Sequence, residues 1–240
     1  MYINDNNLYR ARLFGEVDGS TLQNLGVEGT VSGESEVGGL AGRVSKGKIL
    51  NCYSSVAVNS SDNTGGVVGF ITGSTVSNCY ATGAVSGNVV AGGIVGNINN
   101  STVTNCYATG AVSGNDKVGG IAGVYYTGSG SFINCAALNP SVTRILGAET
   151  TFGRVISDYN GVTLPNNLAF SGMALPSDAT GWNGIDLTAA NAKTEATYSG
   201  MGWKFGIDDA NPWKMGVGTY GLPVFYWQTT APAAMPAHLQ

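Results

Sequence analysis

The sequence predicts an all-β fold, a right-handed parallel β-helix of about five to six coils with a mixed, aromatic-rich C-terminal cap. The first observation is self-similarity at a fixed step of 27 residues, which is the pattern of a solenoid. The second is a series of short segments rich in Val, Ile, Thr and Tyr, each bounded by Gly, Ser or Asn. The third is that residues 20–135 show no amphipathic helical periodicity.

The repeated unit combines a glycine pentad with an Asn-Cys-Tyr triplet. The pentad Gly-Gly-apolar-(Ala/Val)-Gly occurs at 38–42, 65–69, 92–96 and 119–123, and the triplet begins at Asn51, Asn78 and Asn105. A partial copy upstream has Leu13-Phe14-Gly15 and Asn24 in the same phase. An insertion at 125–130 predicts a loop, because turns accept added residues and paired strands do not.

The repeat degrades after Cys135, where the spacing grows to 32 residues. Arg144-Ile145-Leu146-Gly147 resembles a further pentad, and Asn166-Asn167-Leu168-Ala169 resembles the Asn-Cys-Tyr-Ala segment. Such divergence is typical of the end of a solenoid.

Each unit divides into three short strands, which in one copy lie around Thr75–Ala81, Gly83–Ser86 and Gly93–Asn97. We expect each strand to pair in parallel with its counterpart one coil away, ~4.8 Å along the axis. The coil should be right-handed, because parallel crossovers nearly always are.

Stacking in register places equivalent side chains in rows. Two apolar rows and a cysteine row are predicted to lie inside the solenoid. Because side chains alternate along a strand, the tyrosines that follow the cysteines should point outward. The asparagines should lie at a bend, with their amides hydrogen-bonded from coil to coil. The rows are Leu40, Val67, Ile94 and Ile121; Val31, Val58, Val85 and Val112; Cys52, Cys79, Cys106 and Cys135; Tyr53, Tyr80 and Tyr107; and Asn24, Asn51, Asn78, Asn105 and Asn134.

The four cysteines are predicted to be buried free thiols. Stacked Cα atoms ~4.8 Å apart lie within the range of a disulfide, so disulfides are the alternative, but parallel Cβ directions disfavour them. The sequence has no CxxC pair and a single histidine, His238, so the spacing does not match a zinc site. The four cysteines do not indicate whether the protein is located in a reducing or an oxidising compartment.

Composition argues against some partners. The net charge of −4 and the pI near 4.8 disfavour nucleic acid and anionic membrane. No apolar run approaches the ~18 residues of a membrane span. The N-terminus lacks the features of a signal peptide, which fits a cytoplasmic protein or a mature segment with a new initiator Met. We expect the second, an extracellular or bacterial cell-surface location, with the chain monomeric or part of a longer protein.

The pentads and the Asn-Cys-Tyr triplets resemble the GLUG motif repeats of bacterial surface proteins. That family includes large adhesins and immunoglobulin-A-cleaving metallopeptidases, and the match runs roughly from Leu13 to Ala169. Arg12 at a glycine position of the first copy departs from the pattern. The segment around Gly202-Trp203-Lys204-Phe205 and Trp227 is similar to tails that follow such repeats. The resemblance implies an extracellular, non-catalytic scaffold, often in adhesion.

Composition changes near Asp158, which predicts a β-helix over 1–157, a capping region over 158–228 and a Pro-containing linker or frayed tail over 229–240. A short helix is expected over 188–200, capped by Thr188 and ended by Gly200, and Phe225-Tyr226-Trp227 reads as a final strand. The four tryptophans are expected to cover the open end of the last coil. They are Trp182, Trp203, Trp213 and Trp227.

The coils offer little for catalysis. Residues 49–115 contain one carboxylate, Asp62, and no Lys, Arg or His, so we predict no catalytic residues, no metal site and no cofactor. Asp208-Asp209 is expected to be a solvated loop and His238 to be inert. The candidate binding residues are aromatic and could stack on sugars or serve only as structure: Tyr53, Tyr80, Tyr107, Trp182 and Trp213.

The predicted function is therefore a non-catalytic, adhesin-like extracellular module that binds a host or bacterial glycan or protein. The alternative is an accessory or substrate-binding module of a secreted peptidase or a glycan-active enzyme. Ice binding would need a row of threonines, and Ser55 interrupts the row of Thr82 and Thr109.

Overall fold

Parallel strands stacked at the 27-residue step form the body of the molecule. The computed structural model describes residues 2–4 (backbone), 13–126, 128, 130–147, 151–159, 164–181, 183–230, 232 and 234–240. It is nearly all β, with 52% strand and 6% helix, in a parallel β-solenoid of about 5 turns. The predicted fold class is confirmed.

Two parallel sheets make the solenoid walls. The larger sheet contains the strands Tyr2–Asn4, Thr21–Gln23, Gly26–Gly38, Lys48–Gly65, Thr75–Ala81, Val85–Gly87, Val90–Gly92, Thr102–Thr104, Tyr107–Ala108, Val112–Gly114, Lys117–Gly119, Phe132–Ile133, Ala136–Ala137, Val142–Arg144, Phe152–Gly153, Leu168–Phe170 and Ile185–Leu187. The smaller contains Phe14–Asp18, Ala41–Ser45, Val68–Thr72, Val95–Asn99, Ala122–Tyr125 and Ile156–Asp158.

The last glycine of the pentad lets the two walls touch. A Cβ atom added to Gly69 would lie 2.5 Å from the carbonyl carbon of Glu36 and 2.6 Å from the carbonyl oxygen of Asn63. No side chain fits in that space, because real Cβ contacts are much longer. The pentad therefore encodes a close approach of two backbones, which is one of the uses of glycine in strands.

The predicted rows are in register. Val58 pairs with Val31 and Val85, and Val112 pairs with Val85 and Val142. Backbone hydrogen bonds link Leu40, Val67, Ile94, Ile121 and Val155 in sequence. All of these side chains are buried, and together they fill the interior of the solenoid.

The cysteine row is also inside, and all four thiols are free. Each Sγ atom lies within hydrogen-bonding distance of the backbone oxygen two residues earlier, for example 3.1 Å from Cys52 to Leu50 and 3.3 Å from Cys79 to Ser77. Burial raises the pKa of Cys52 and Cys106 well above that of an ordinary thiol. The prediction of buried free thiols is confirmed.

The prediction of a further pentad at 144–147 is wrong. The residues that pair with Gly119 and Ala122 are Gly153 and Ile156, not members of the 144–147 segment. Ile145 and Leu146 instead lie in an exposed connection, with 49% and 69% exposure. Ile145-Leu146-Gly147 imitates the end of a pentad, whereas the true counterpart, Gly153 to Ser157, keeps only its first glycine.

The parallel sheet extends past the boundary predicted at residue 157. Leu168–Phe170 pairs with Ala136–Ala137, and Ile185–Leu187 pairs with Leu168–Phe170. The chain then forms the helices Ala189–Ala192 and Glu195–Gly200, and the Thr188 side chain caps the first of them as predicted.

Two asparagine amides replace strand partners where the coils end. Asn167 occupies the cysteine position of its repeat; its Oδ1 accepts from the Cys135 N–H at 2.8 Å and its Nδ2 donates to the Phe132 oxygen at 3.0 Å. Asn183 accepts from the Val155 N–H at 2.8 Å and donates to the Ile156 oxygen at 2.6 Å. Backbone groups at the last coil are thus satisfied by side chains.

The C-terminal segment differs from its prediction in two ways. An antiparallel hairpin of Trp213–Met215 and Pro223–Phe225 follows the helices and packs along the side of the coils, not over their end. The tail is not a frayed linker, since it forms a 3₁₀ turn at Ala237–Leu239 with Met235 and Leu239 buried.

Candidate functional site

The outward-facing tyrosines form a continuous stack along the solenoid axis. The ring centroids of Tyr53 and Tyr80 are 5.2 Å apart, and those of Tyr80 and Tyr107 are 4.9 Å apart, with nearly parallel planes. Pairing places Tyr53 beside Gly26 and Tyr107 beside Ala136. The faces of Tyr80 are therefore covered by its neighbours in the row, and the hydroxyl-bearing edges point away from the coils.

Residues 203–228, here called the strap, cover most of this stack. The rings of Trp213 and Phe225 lie 6.4 and 5.4 Å from Tyr80, and the ring of Trp203 lies 6.3 Å from Tyr107. Farther along the row, Trp227 stacks on Tyr53 at 5.9 Å. The aromatic rings of the strap contact the tyrosines of three successive coils.

Three of the predicted sugar-binding residues are consequently inaccessible. Tyr80, Tyr107 and Trp213 are all 0% exposed, and of the three stacked tyrosines only Tyr53 is half-buried. The prediction that the Tyr80 and Tyr107 rings are exposed is wrong, because the sequence alternation correctly turns them out of the solenoid but does not show the segment that covers them. Trp182 lies outside the described residues.

The strap also hydrogen-bonds to the asparagine row. Asp209 Oδ1 accepts from Asn24 Nδ2 at 2.7 Å, and the Asp209 backbone oxygen accepts from Asn51 Nδ2 at 3.3 Å. Trp213 Nε1 donates to Asn78 Oδ1 at 3.3 Å, and Trp203 Nε1 donates to the Asn134 oxygen at 2.8 Å. The strap thus reaches from the first asparagine of the row to the last.

The covered phenols are held in the neutral form. Tyr80 donates to Gln228 Oε1 at 2.7 Å, and Tyr107 donates to the Pro223 oxygen at 2.7 Å with Tyr220 nearby. Burial raises the pKa of Tyr80 and Tyr107 far above that of an exposed phenol, and raises the pKa of Tyr220 to about 12. These groups stabilise the strap and do not transfer protons near neutral pH.

An open groove remains beside the first members of the stack. It has a volume of about 240 Å³ and lies between the coils and the end of the strap. On the coil side the groove is lined by Tyr53, the edge of Tyr80, and the row of Glu28, Ser55 and Thr82. On the opposite side it is lined by Gln228, Thr230 and Pro232. We call it the Tyr53 groove, and it is the candidate functional site.

Sequence reasoning named Tyr53 and Tyr80 but missed the other groove residues. Glu28, Ser55 and Thr82 are spaced by the repeat step, and Glu28 pairs with Ser55 in the sheet. That spacing was the available signal. The contribution of Gln228 and Thr230 had no local signal, because it depends on the strap folding back over 148 residues.

Several charged groups outside the groove form local contacts. Arg43 bonds to Glu36 at 2.9 Å and lies 4.5 Å from the centre of the Phe70 ring. Asp208 Oδ1 accepts from the backbone N–H groups of Ala210 and Asn211, which closes its own loop. Asn24, and then Tyr226, lower the pKa of Asp209 by hydrogen bonding to its carboxylate.

The described ranges contain neither a cluster of metal-ligating side chains nor a membrane-spanning helix. Within them no group of three or more His, Cys, Asp or Glu side chains could hold a metal ion. In the part of the chain that the structure describes, no helix is long and apolar enough to cross a bilayer. His238, predicted to be inert, has a ring nitrogen 2.7 Å from the Leu138 oxygen and helps to hold the tail.

Comparison with known proteins confirms the resemblance found in the sequence. The family model of the GLUG motif matches residues 33–59 and 60–86. A crystal structure from Bacteroides ovatus, provisionally described as an immunoglobulin A1 protease, superposes with a TM-score of 0.70. The two sequences are 23% identical, and the superposed region covers 89% of this chain and 75% of the Bacteroides ovatus chain. At this identity the likeness shows the fold alone. No curated protein matches.

Proposed function

We propose that this chain is a non-catalytic, adhesin-like repeat module that acts outside the bacterial cell and binds a surface glycan or protein. Its repeats match a motif that is itself non-catalytic. The observation that carries the proposal is the strap, which locks several coils into one body and leaves the Tyr53 groove open at its edge. A rigid body with a preformed groove suits binding, because little ordering is needed on association.

An extracellular location is part of the proposal. It is supported by the GLUG match and by the low charge content of 11%, which is typical of displayed solenoids. The buried thiols are compatible with an oxidising environment, since their burial protects them from reaction.

The test is direct binding by the isolated, fluorescently labelled chain. We expect saturable binding to a subset of a panel of glycans and immobilised host proteins, and no turnover of any of them. Absence of saturable binding to the whole panel would refute the proposed function.

A second candidate is an accessory module of a secreted peptidase, which the structural likeness to the Bacteroides ovatus protein favours. The panel should therefore include immunoglobulin A1. Binding of that protein without cleavage would support the accessory role, whereas cleavage into defined fragments by the pure chain would contradict a non-catalytic module.

A further inference from the structure

The strap and the tail after it run back and forth along the coils. When the coils are numbered by the asparagine row, Asn24 lies in the first coil and Asn134 in the fifth. The strap begins at the fifth coil, where the Trp203 indole donates to the Asn134 oxygen at 2.8 Å. A few positions later, Asp209 accepts from Asn24 in the first coil at 2.7 Å. This first pass therefore spans the whole row.

The chain then returns along the same face. Pro223 lies at the fourth coil, where its oxygen accepts from the tyrosine of that coil. Trp227 next stacks on Tyr53 in the second coil. In the tail, a His238 ring nitrogen lies 2.7 Å from the oxygen of Leu138, which follows the asparagine of the fifth coil. After residue 203 the chain thus passes along the coils twice in each direction.

These contacts join positions that are far apart in the chain. Within the solenoid, each coil pairs with its neighbours at the 27-residue step. In contrast, 148 residues separate Tyr80 from its acceptor Gln228, and 185 residues separate Asn24 from Asp209. An array held by neighbour contacts alone can lose its end coils one at a time, because its stability is a sum of nearest-neighbour terms. The strap adds contacts that skip neighbours, so loss of an end coil also breaks the strap.

Opening of the strap uncovers a large apolar surface. Tyr80, Tyr107, Trp213 and Phe225 are all 0% exposed, and their rings lie against one another. Lifting the strap exposes aromatic side chains of the strap and of the coils at once. The four cysteines of the sequence are all free, so no disulfide ties the strap to the coils. Docking of the strap is therefore a noncovalent and reversible step.

We propose that the strap joins the coils and the C-terminal segment into one cooperative folding unit, so that the first coils become locked only when residues 203–228 have docked. A solenoid of neighbour contacts alone would fold and fray coil by coil. In this chain the first coil depends on a segment that follows all the coils in sequence. An exported chain would complete its fold only after the strap has followed the coils across the membrane, a consequence that rests on the proposed extracellular location.

The experiment is native-state hydrogen exchange of the full chain, read by mass spectrometry at several urea concentrations below the unfolding transition. The peptides to compare cover the strand Lys48–Gly65 in the second coil, the strand Ala136–Ala137 in the fifth and the strap strand Trp213–Met215. In a single unit, the slowest amides of all three open with the same free energy and the same dependence on urea. Coil amides that open at least about tenfold less often than strap amides would overturn the proposal.

Refolding tests the order of events. The urea-unfolded chain is diluted and labelled by short pulses of exchange at increasing times. We expect strong protection of the second coil to appear in the same kinetic phase as protection of the strap, because the two belong to one unit. Full protection of the coils in an earlier phase, with the strap following separately, would contradict locking by the strap.

Two variants at the strap's contacts with the first and second coils test the coupling over distance. Trp227→Ala removes the ring that stacks on Tyr53, and Asp209→Ala removes the acceptor of Asn24. We expect exchange to become about tenfold or more faster in the first variant and about threefold faster in the second. Within each variant the factor should be the same in the fifth coil as in the second. An increase confined to the first two coils, or no increase in either variant, would overturn the proposal.

The matched control is Asn59→Ala, at an exposed position of the second coil. It should leave exchange in every peptide within about twofold of the parent, as most surface substitutions do. None of these measurements uses a ligand. Failure of the folding unit would therefore leave the proposed binding function standing, and absence of binding to the whole panel would leave the folding unit standing.

Discussion

At the residue scale, the repeated asparagines adopt a backbone conformation that few side chains accept. Asn24, Asn51, Asn78, Asn105 and Asn134 all have φ between 51° and 58°, in the left-handed region. Asparagine tolerates that region better than most residues, and glycine tolerates it best. A glycine at these positions would lack the side-chain amide, however, and the amides form hydrogen bonds along the row. Asn78 donates to Asn51, and Asn105 donates to Asn78, both at 3.2 Å.

Substitution of Asn78 separates the two contributions. Asn78→Gly keeps the turn but removes the amide bonds, and we expect a loss of about 1–2 kcal/mol in the free energy of unfolding. Asn78→Ala also forces an ordinary side chain into the left-handed region, which should add about 1 kcal/mol. Urea unfolding with fluorescence detection measures both. An alanine variant as stable as the glycine variant would show that the conformation is not the constraint.

At the scale of elements, the strap is an aromatic layer laid on a ladder of aromatic side chains. Trp203 is 2% exposed, and its ring lies 4.6 Å from Trp213 and 4.9 Å from Tyr198. Its N–H also reaches the backbone oxygen of Asn134. The Trp213 contact lies within the strap, whereas the Tyr198 contact joins the strap to the second helix and the Asn134 bond joins it to a coil. Loss of the indole therefore loosens the attachment of the strap to two elements at once.

Trp203→Ala should therefore destabilise the protein by about 3–5 kcal/mol, as large aromatic truncations in cores do. Trp203→Phe retains an aromatic ring and removes the N–H donor, and we expect about half of that loss. Thermal and urea unfolding of the two variants against the parent give both values. A change below ~1 kcal/mol for the alanine variant would mean that the strap adds little to stability.

The strands and rows could be predicted because the repeat itself fixes register. Once Val58 follows Val31 by 27 residues, in-register stacking determines which side chains meet. The strap could not be predicted in the same way. Tyr107 meets Pro223 across 116 residues, and no local pattern in the sequence joins those two positions.

The same reasoning explains which parts of the groove were visible in the sequence. The Glu28, Ser55 and Thr82 row follows the repeat and was open to prediction, although its members differ in type. The wall formed by Gln228 and Thr230 depends on the strap and was not. Asn167 was aligned correctly with the cysteines, but its role in ending the sheet came from its amide, which a row of thiols does not suggest.

At the scale of the whole molecule, buried thiols and phenols make stability sensitive to alkaline pH. The pKa values of Cys52, Cys106, Tyr80, Tyr107 and Tyr198 are all raised in the folded state, chiefly by burial. The unfolded chain therefore releases these protons at lower pH than the folded chain does. The stabilisation is complete below the unfolded values, ~8.5 for Cys and ~10 for Tyr, and is lost as pH rises above them.

We accordingly expect the free energy of unfolding to fall steeply above about pH 10, by up to ~1.4 kcal/mol per pH unit for each group that the unfolded state alone has deprotonated. Urea unfolding at several pH values between 7 and 11 measures the slope. Tyr80→Phe removes one such group and should make the slope shallower. Equal stability at pH 8 and pH 11 would contradict the burial of these groups.

The last prediction concerns two coverings that the sequence suggested were one. Residues 164–200 complete the last coil, through the Leu168–Phe170 and Ile185–Leu187 strands and the amides of Asn167 and Asn183. The strap covers the side of the solenoid instead. Removing them in turn should therefore have different consequences.

A chain ending at residue 157 loses both coverings, so its open strand edges and apolar interior should pair with other molecules and give oligomers or aggregates. A chain ending at residue 200 keeps the edges covered but exposes the row of Tyr53, Tyr80 and Tyr107. We expect it to have a lower melting temperature than the full-length protein and to bind a hydrophobic dye on the uncovered aromatic face. It should associate much less than the chain ending at residue 157. Light scattering and thermal unfolding of both chains beside the full-length protein distinguish these outcomes. A chain ending at residue 157 that stays monomeric with an unchanged melting temperature would show that neither covering is structural, because the coils would then be stable with bare edges.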